Sequence, residues 1–169
     1  MAETLIAKLR VKEIHFAPPI AAASDVATAV WVKQPLTLRD DEVSVVEGDP
    51  EEEFLYSHEN DAPEDMDITG SGLSLVGSFI KATRAELVEL LGGALTGEAP
   101  NQVYEHSASK VLIEKAIKYV CYDGTEVIVP RAKGYTLLNL NIGKGGVTKY
   151  PFRFRALKAS ADWDCDITF

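Results

Sequence analysis

The sequence is short of the features that usually fix a chemistry. Its 169 residues include two cysteines, Cys121 and Cys165, at a separation that makes no metal or redox spacing, so free thiols are expected. The three histidines, His15, His58 and His106, stand isolated in sequence, and nothing pairs them with a serine as nucleophile and base. No apolar run reaches the roughly 18–20 residues that a bilayer-spanning helix requires. The stretch from Pro18 to Val32 is interrupted by Ser24, Asp25 and Thr28. The N-terminal MAETLIAKLRVKEIHF distributes charge along its length and has no continuous apolar centre, unlike a secretory leader. These absences lead us to expect a soluble protein with no membrane anchor, made in a cytoplasm.

Phosphate-binding loops are missing too. Gly143-Lys-Gly-Gly146 lacks the G-x-x-x-x-G-K-[ST] spacing and follows a β-like run without opening a helix, so it reads as a turn. Gly70, Gly72 and Gly77 miss the dinucleotide spacing. A net charge of −9 and a pI near 4.8 argue against a protein that grips nucleic acid through phosphate contacts. At 46% hydrophobic residues the chain has the composition of a globular protein, and its length fits a single domain over residues 1–169.

The charge is unevenly placed. Between Asp40 and Asp67 there are 13 acidic residues and no lysine or arginine. The other 141 residues hold 13 acids against 17 bases, a net of +4. The chain is therefore a mildly basic domain carrying one segment of −13. Gly48, Pro50 and Pro63 interrupt that segment and argue for a long acidic loop, with apolar anchors only at Val43–Val46 and Phe54–Tyr56. Its candidate interaction residues are Glu47, Asp49, Glu51, Glu52, Glu53, Phe54, Tyr56, Glu59 and Asp61. A loop so charged repels copies of itself and seeks a basic surface. The candidates for that surface are Lys110, Lys115, Lys118, Arg153 and Arg155.

The remainder of the chain reads as strands. Leu5, Ala7, Leu9 and Val11 alternate with residues facing the other way, the period of a half-buried strand. Val26–Leu38 is a second extended run, with Pro35 marking an edge or bulge, and Ile68–Ile80 is a third. Thr83-Arg-Ala-Glu86 is a capping box, followed by Leu87, Val88, Leu90 and Leu91 and stopped by Gly92-Gly93, which predicts a short helix over about Arg84–Leu91. Val111–Val120 fits either helix or strand; Asp123-Gly124 between YVCY and TEVIV favours a type I′ hairpin with strand near Ala116–Tyr122. Leu138, Leu140 and Ile142 alternate with asparagines, Phe152 and Phe154 with Arg153 and Arg155, and Asp162, Asp164 and Asp166 with Trp163, Cys165 and Ile167. These predict three further strands. Seven or eight strands with one flanking helix make a mainly β domain, a β-sandwich or small barrel.

Two oxygen-rich groups have the ligand types for a metal ion. His58, Glu59, Asp61, Glu64 and Asp65 lie close in sequence but lack the EF-hand pattern. The aspartates at 162, 164 and 166 would share a strand face and need a cation or basic residue opposite, for which Arg153 and Arg155 are candidates. No catalytic constellation emerges, and no cofactor is expected.

The succession Asp123-Gly-Thr-Glu-Val-Ile-Val-Pro130, Gly143-Lys-Gly-Gly146 and Pro151-Phe-Arg-Phe-Arg-Ala-Leu157 resembles the last hairpins of tailed-bacteriophage major tail tube proteins. The upstream order is similar as well: a strand region, a long polar loop, a strand, and a capped helix ending in Gly-Gly. The resemblance is one of layout and short turn motifs over most of the chain. It implies a non-enzymatic virion protein, with a fold shared by type VI secretion tube proteins. Such proteins self-assemble into homohexameric rings that stack as the tail tube, the conduit for DNA ejection. It further implies tape-measure, tail-terminator and baseplate proteins as partners, DNA that passes without specific binding, and a place in the virion tail after assembly in the bacterial host cytoplasm. The long loop of that family bridges to a neighbouring subunit or ring. A different class of function, a calcium-dependent β-sandwich binding module using the acidic loop, is the alternative.

Overall fold

A computed structural model of the chain describes Ile6 and residues 8–169. The architecture is mainly β with one α-helix, as expected. In chain order the strands are β1 (Val11–Ala17), β2 (Val32–Lys33), β3 (Leu36–Thr37), β4 (Ser44–Glu47), β5 (Glu51–Tyr56), β6 (Pro63–Thr69) and β7 (Leu73–Ile80). Helix α1 (Arg84–Leu91) follows, then β8 (Ala94–Thr96), β9 (Val103–Glu105), β10 (Ile113–Cys121), β11 (Glu126–Thr136) and β12 (Tyr150–Ala156). One antiparallel sheet runs β2-β1-β10-β11-β12-β7 and curls into a half-barrel. On the outer edge of β7, β3 pairs near Ile80 and β4 pairs from Leu73 to Val76. Two separate hairpins, β5–β6 and β8–β9, complete the chain.

Alternation builds the core. Along β12, Tyr150, Phe152 and Phe154 are buried while Arg153 and Arg155 are exposed. Leu75 and Phe79 of β7, Ile117 and Tyr119 of β10, Val129 of β11 and Phe16 of β1 join them. Rings of Phe79 and Phe152 lie 4.5 Å apart, and Phe16 meets Phe154 edge-on at 5.7 Å, the offset and T-shaped arrangements that aromatic quadrupoles favour. Gly77 sits opposite Phe152 in the ladder, and a Cβ there would fall 2.5 Å from the Phe152 Cζ. The glycine makes room for the ring.

The helix forms as its sequence predicts. The Glu86 N–H donates to Thr83 Oγ1 at 3.3 Å, and the Thr83 N–H donates to Glu86 Oε2 at 2.7 Å, closing the capping box. Leu87, Leu90 and Leu91 are buried in the main core, and Gly92 ends the helix with φ of +75°.

Several expectations are corrected. The acidic segment is not a loop: most of it forms β4, β5 and β6, with Pro63 as the first residue of β6. The N-terminal strand begins at Val11, opposite Cys121 at the end of β10, and the Tyr122 N–H on the Arg10 carbonyl at 3.0 Å carries the pairing one step further before the β10–β11 turn. Leu5 and Ala7 lie outside the described residues. The Val26–Leu38 run is broken into β2 and β3 around Gln34-Pro35, and a 3₁₀ turn covers Ala23–Val26. The β10–β11 reversal is a three-residue loop in which Gly124, but not Asp123, has positive φ, so it is not type I′. Leu138–Ile142 and the C-terminal aspartate run form no strands, contributing only the bridges Asn139–Lys149 and Ile128–Thr168. Asp164 faces Lys158 at 3.7 Å, and neither Arg153 nor Arg155 makes an ion pair among the described residues.

Candidate functional site

The acidic segment supplies β4 and nearly all of the outer half of one long hairpin. Its inner half is the β4–β7 pairing, which ends at Glu47 opposite Leu73. Its outer half, β5–β6, starts at Glu51 opposite Thr69. Between them Gly48-Asp49-Pro50 faces Gly70-Ser71-Gly72, held by the Gly48 N–H on the Gly72 carbonyl at 3.2 Å. Arg155 Nη1 donates to the Ser71 carbonyl at 3.0 Å, tying this joint to β12. Beyond it every residue of β5 and β6 is exposed. Six strand residues at about 3.3 Å each make an arm roughly 20 Å long.

Cross-strand register gives the arm two unlike faces, because residues directly opposite in an antiparallel pair share a side. Phe54 opposes Met66, Glu52 opposes Ile68, and Tyr56 lies two residues beyond Phe54. The Phe54 and Tyr56 rings are 6.4 Å apart. Glu52 apart, this face is apolar yet uncovered, with Phe54, Tyr56, Met66 and Ile68 at 41%, 59%, 53% and 55% exposure. The other face carries Glu51, Glu53 opposite Asp67, and Asp65 opposite Leu55. Like charges directly across a ladder are destabilising. Of the segment's 13 acids, Asp41 alone has an ion-pair partner among the described residues, Lys149 at 2.8 Å. That contact, with Ser78, holds the Asp41 carboxyl below its usual range. At the tip, Glu64 accepts from Asn60 at 2.6 Å and Ser57 at 2.8 Å, which lowers its pKa and orders the turn.

The nine predicted interaction residues all lie on or beside this arm: Glu47 ends β4, Asp49 is in the joint, Glu51–Phe54 and Tyr56 are in β5, and Glu59 and Asp61 are at the tip. What the sequence reading missed is the partner strand, Met66 and Ile68 above all. Their alternation with Asp65 and Asp67 was the available signal.

The five predicted basic residues separate. Arg153 and Arg155 line a groove of about 780 Å³ over β7, β12 and β11, together with Lys133, and Lys110 lies over the Tyr135 ring in the same wall at 5.9 Å. Lys115 lines a different cavity beside α1. Lys118 lies over Trp31 at 4.8 Å and pairs with Glu126 at 3.7 Å, so it is engaged within its own chain. Lys133, opposite Arg155 in the β11–β12 ladder, had not been anticipated.

At the arm's root an apolar cavity of about 530 Å³ opens between Val11, Val43, Val45, Leu73, Val127 and Phe169. Tyr119 and Cys121 stand in its wall, and burial raises both pKa values, with Asp123 adding to the rise at Cys121. Both stay protonated at neutral pH, so the thiol is not an activated nucleophile. Among the described residues no group of three or more His, Cys, Asp or Glu side chains gathers in metal-binding geometry. No helix among the described residues is long and apolar enough to cross a membrane. The sequence matches no protein-family model, and a comparison with curated proteins found no similar sequence.

Proposed function

We propose that this protein is a structural subunit that works by assembling with copies of itself. In detail, the reading is a phage tail tube protein whose hexameric rings stack into the conduit for DNA. The observation that carries self-assembly is the β5–β6 arm. It is a paired hairpin, in continuous register from Glu51–Thr69 to Leu55–Asp65 with a bulge before Tyr56–Pro63, projecting from the half-barrel with an apolar face and an acidic face that its own chain leaves uncovered. Isolated two-stranded hairpins are marginal in water, and cross-strand carboxylates weaken this one further. A neighbouring surface stabilises both faces and removes the exposed strand edges, as closed assemblies do. The ring number, the tube and the passage of DNA come from the resemblance in layout and turn motifs. A net negative charge agrees with a wall along which DNA slides without adhering.

Because Glu47 and Leu73 are paired, an Asn-Gly turn can replace Gly48–Gly72 and close the β4–β7 hairpin directly. The armless variant is expected to fold, with a cooperative melt and a circular-dichroism spectrum that loses only the strand signal of β5 and β6. Light scattering and negative-stain imaging of the native chain should show rings or tubes, and the variant should show neither. A native chain that stays monomeric at high concentration would overturn the proposal.

A further inference from the structure

The outer face of the sheet offers the arm a matching surface. Arg153 and Arg155 are two residues apart on β12, and Lys133 lies directly opposite Arg155 on β11. On the arm, Glu51 and Glu53 are two residues apart on β5, and Asp67 lies directly opposite Glu53 on β6. Each surface thus carries a cross-strand pair of like charge plus one more two residues along. Both repeat at about 7 Å, since the spacing is that of the β pleat. None of these six side chains has an ion pair within the chain among the described residues; Arg155 makes only its bond to the Ser71 carbonyl. Asp40 and Glu42 add negative charge to the groove's wall, where Asp41 is neutralised by Lys149. The groove's positive end is therefore the Arg153–Arg155 end.

We infer that this groove is the docking site for the acidic face of the β5–β6 arm of a second copy, with Glu51, Glu53 and Asp67 set against Arg153, Arg155 and Lys133. The inference rests on the self-assembly reading and adds the surface and the face of the arm involved. Docking relieves the like-charge opposition on both ladders at once. It leaves the apolar face of the arm turned outward, toward any further copy.

Charge reversal on each side, and on both, tests the pairing. Full-length E51K/E53K and K133E/R153E alter exposed positions, and thermal melts check that each folds; K133Q/R153Q serves as the milder groove variant. Each reversal alone should raise the concentration required for assembly about tenfold, and the four-fold combination should return it to within about threefold of native. Raising salt from 50 to 500 mM should weaken native assembly through screening. Groove variants that assemble like the native chain, while the armless variant does not, overturn this docking site and leave self-assembly standing. Absence of rescue in the combined variant likewise overturns it. A native chain that never assembles removes both.

Discussion

The two halves of the β4–β7 and β5–β6 hairpin are built from the same kind of sequence and meet opposite ends. In β7, Leu73, Leu75 and Phe79 alternate with half-buried residues and sit inside the half-barrel. In β6, Met66 and Ile68 alternate with Asp65 and Asp67, and every one of them is exposed. The period is the same. What differs is what lies beneath: β7 has the rings of Phe152 and Phe154 against it, whereas β6 has only β5. Alternation identifies a face that favours burial without saying what buries it, and in β6 the cover is left to another molecule.

The contrast is broken most forcefully by removing a ring from each half. Phe152→Ala empties a site that is 1% exposed and should cost about 3–5 kcal/mol in a urea melt. Phe54→Ala, at a 41% exposed position, should change the stability of the dispersed subunit by no more than about 0.5 kcal/mol. A large loss at Phe54 in dispersed protein would mean that the arm is already covered by its own chain.

Gly77→Ala comes next. The new methyl group meets the Phe152 ring, whose Cζ would be 2.5 Å away, so the ring or the strand has to move. Overpacking of this kind costs about 1–3 kcal/mol. Gly70 has open space around its missing Cβ, and Gly70→Ala in the joint should stay within about 0.5 kcal/mol by the same measurement. The pair sharpens the comparison on backbone alone.

Much of this was legible in the residues, for reasons that are local. The capping box at Thr83 and Glu86 declares a helix start by itself, and Phe152, Arg153, Phe154 and Arg155 declare a strand and its faces. Other failures share one cause. Leu138–Ile142 and the C-terminal aspartate run have the right alternation, but their pairing stops at the single bridges Asn139–Lys149 and Ile128–Thr168, and pairing is a property of two segments. In the acidic run, charge, Gly48 and the prolines point to a loop and outweigh a pattern spread over both β5 and β6. Register, which sorts Phe54, Met66 and Ile68 from Glu53 and Asp67, is invisible until the two strands are laid side by side. Lys133 was missed for the same reason: only the ladder sets it opposite Arg155.

Helix capping tests the covered side of the molecule at a smaller scale. Thr83→Ala removes the acceptor for the Glu86 N–H and should lower stability by about 1 kcal/mol. Thr83→Ser keeps the oxygen and should restore most of it. Because α1 packs Leu87, Leu90 and Leu91 into the core, the loss should appear in global unfolding. A loss confined to local amide exchange in α1, with global unfolding unchanged, would show that the helix frays independently of the sheet.

The smallest effect is expected at the one acid of the segment that has an ion-pair partner among the described residues. Asp41 lies between β3 and β4, where Lys149 Nζ donates to both of its carboxylate oxygens at 2.8 and 3.1 Å. Its pKa in the fold lies below the ordinary value, so the carboxylate stabilises the native state wherever it is ionised. That contribution is complete above the unfolded-state value of about 4 and is lost as pH falls through the lower folded-state value. Asp41→Asn should therefore melt slightly below the native protein at pH 7, and the gap should close as the pH is taken from about 5 to 2. Glu53→Gln, on the unpaired arm, should show no such gap in dispersed protein, or should melt higher because the opposition to Asp67 is gone. A pH-independent gap at Asp41 would place its role in shape rather than charge. The arm's acids would then be the part of the segment whose ionisation matters, and only in the presence of a second copy.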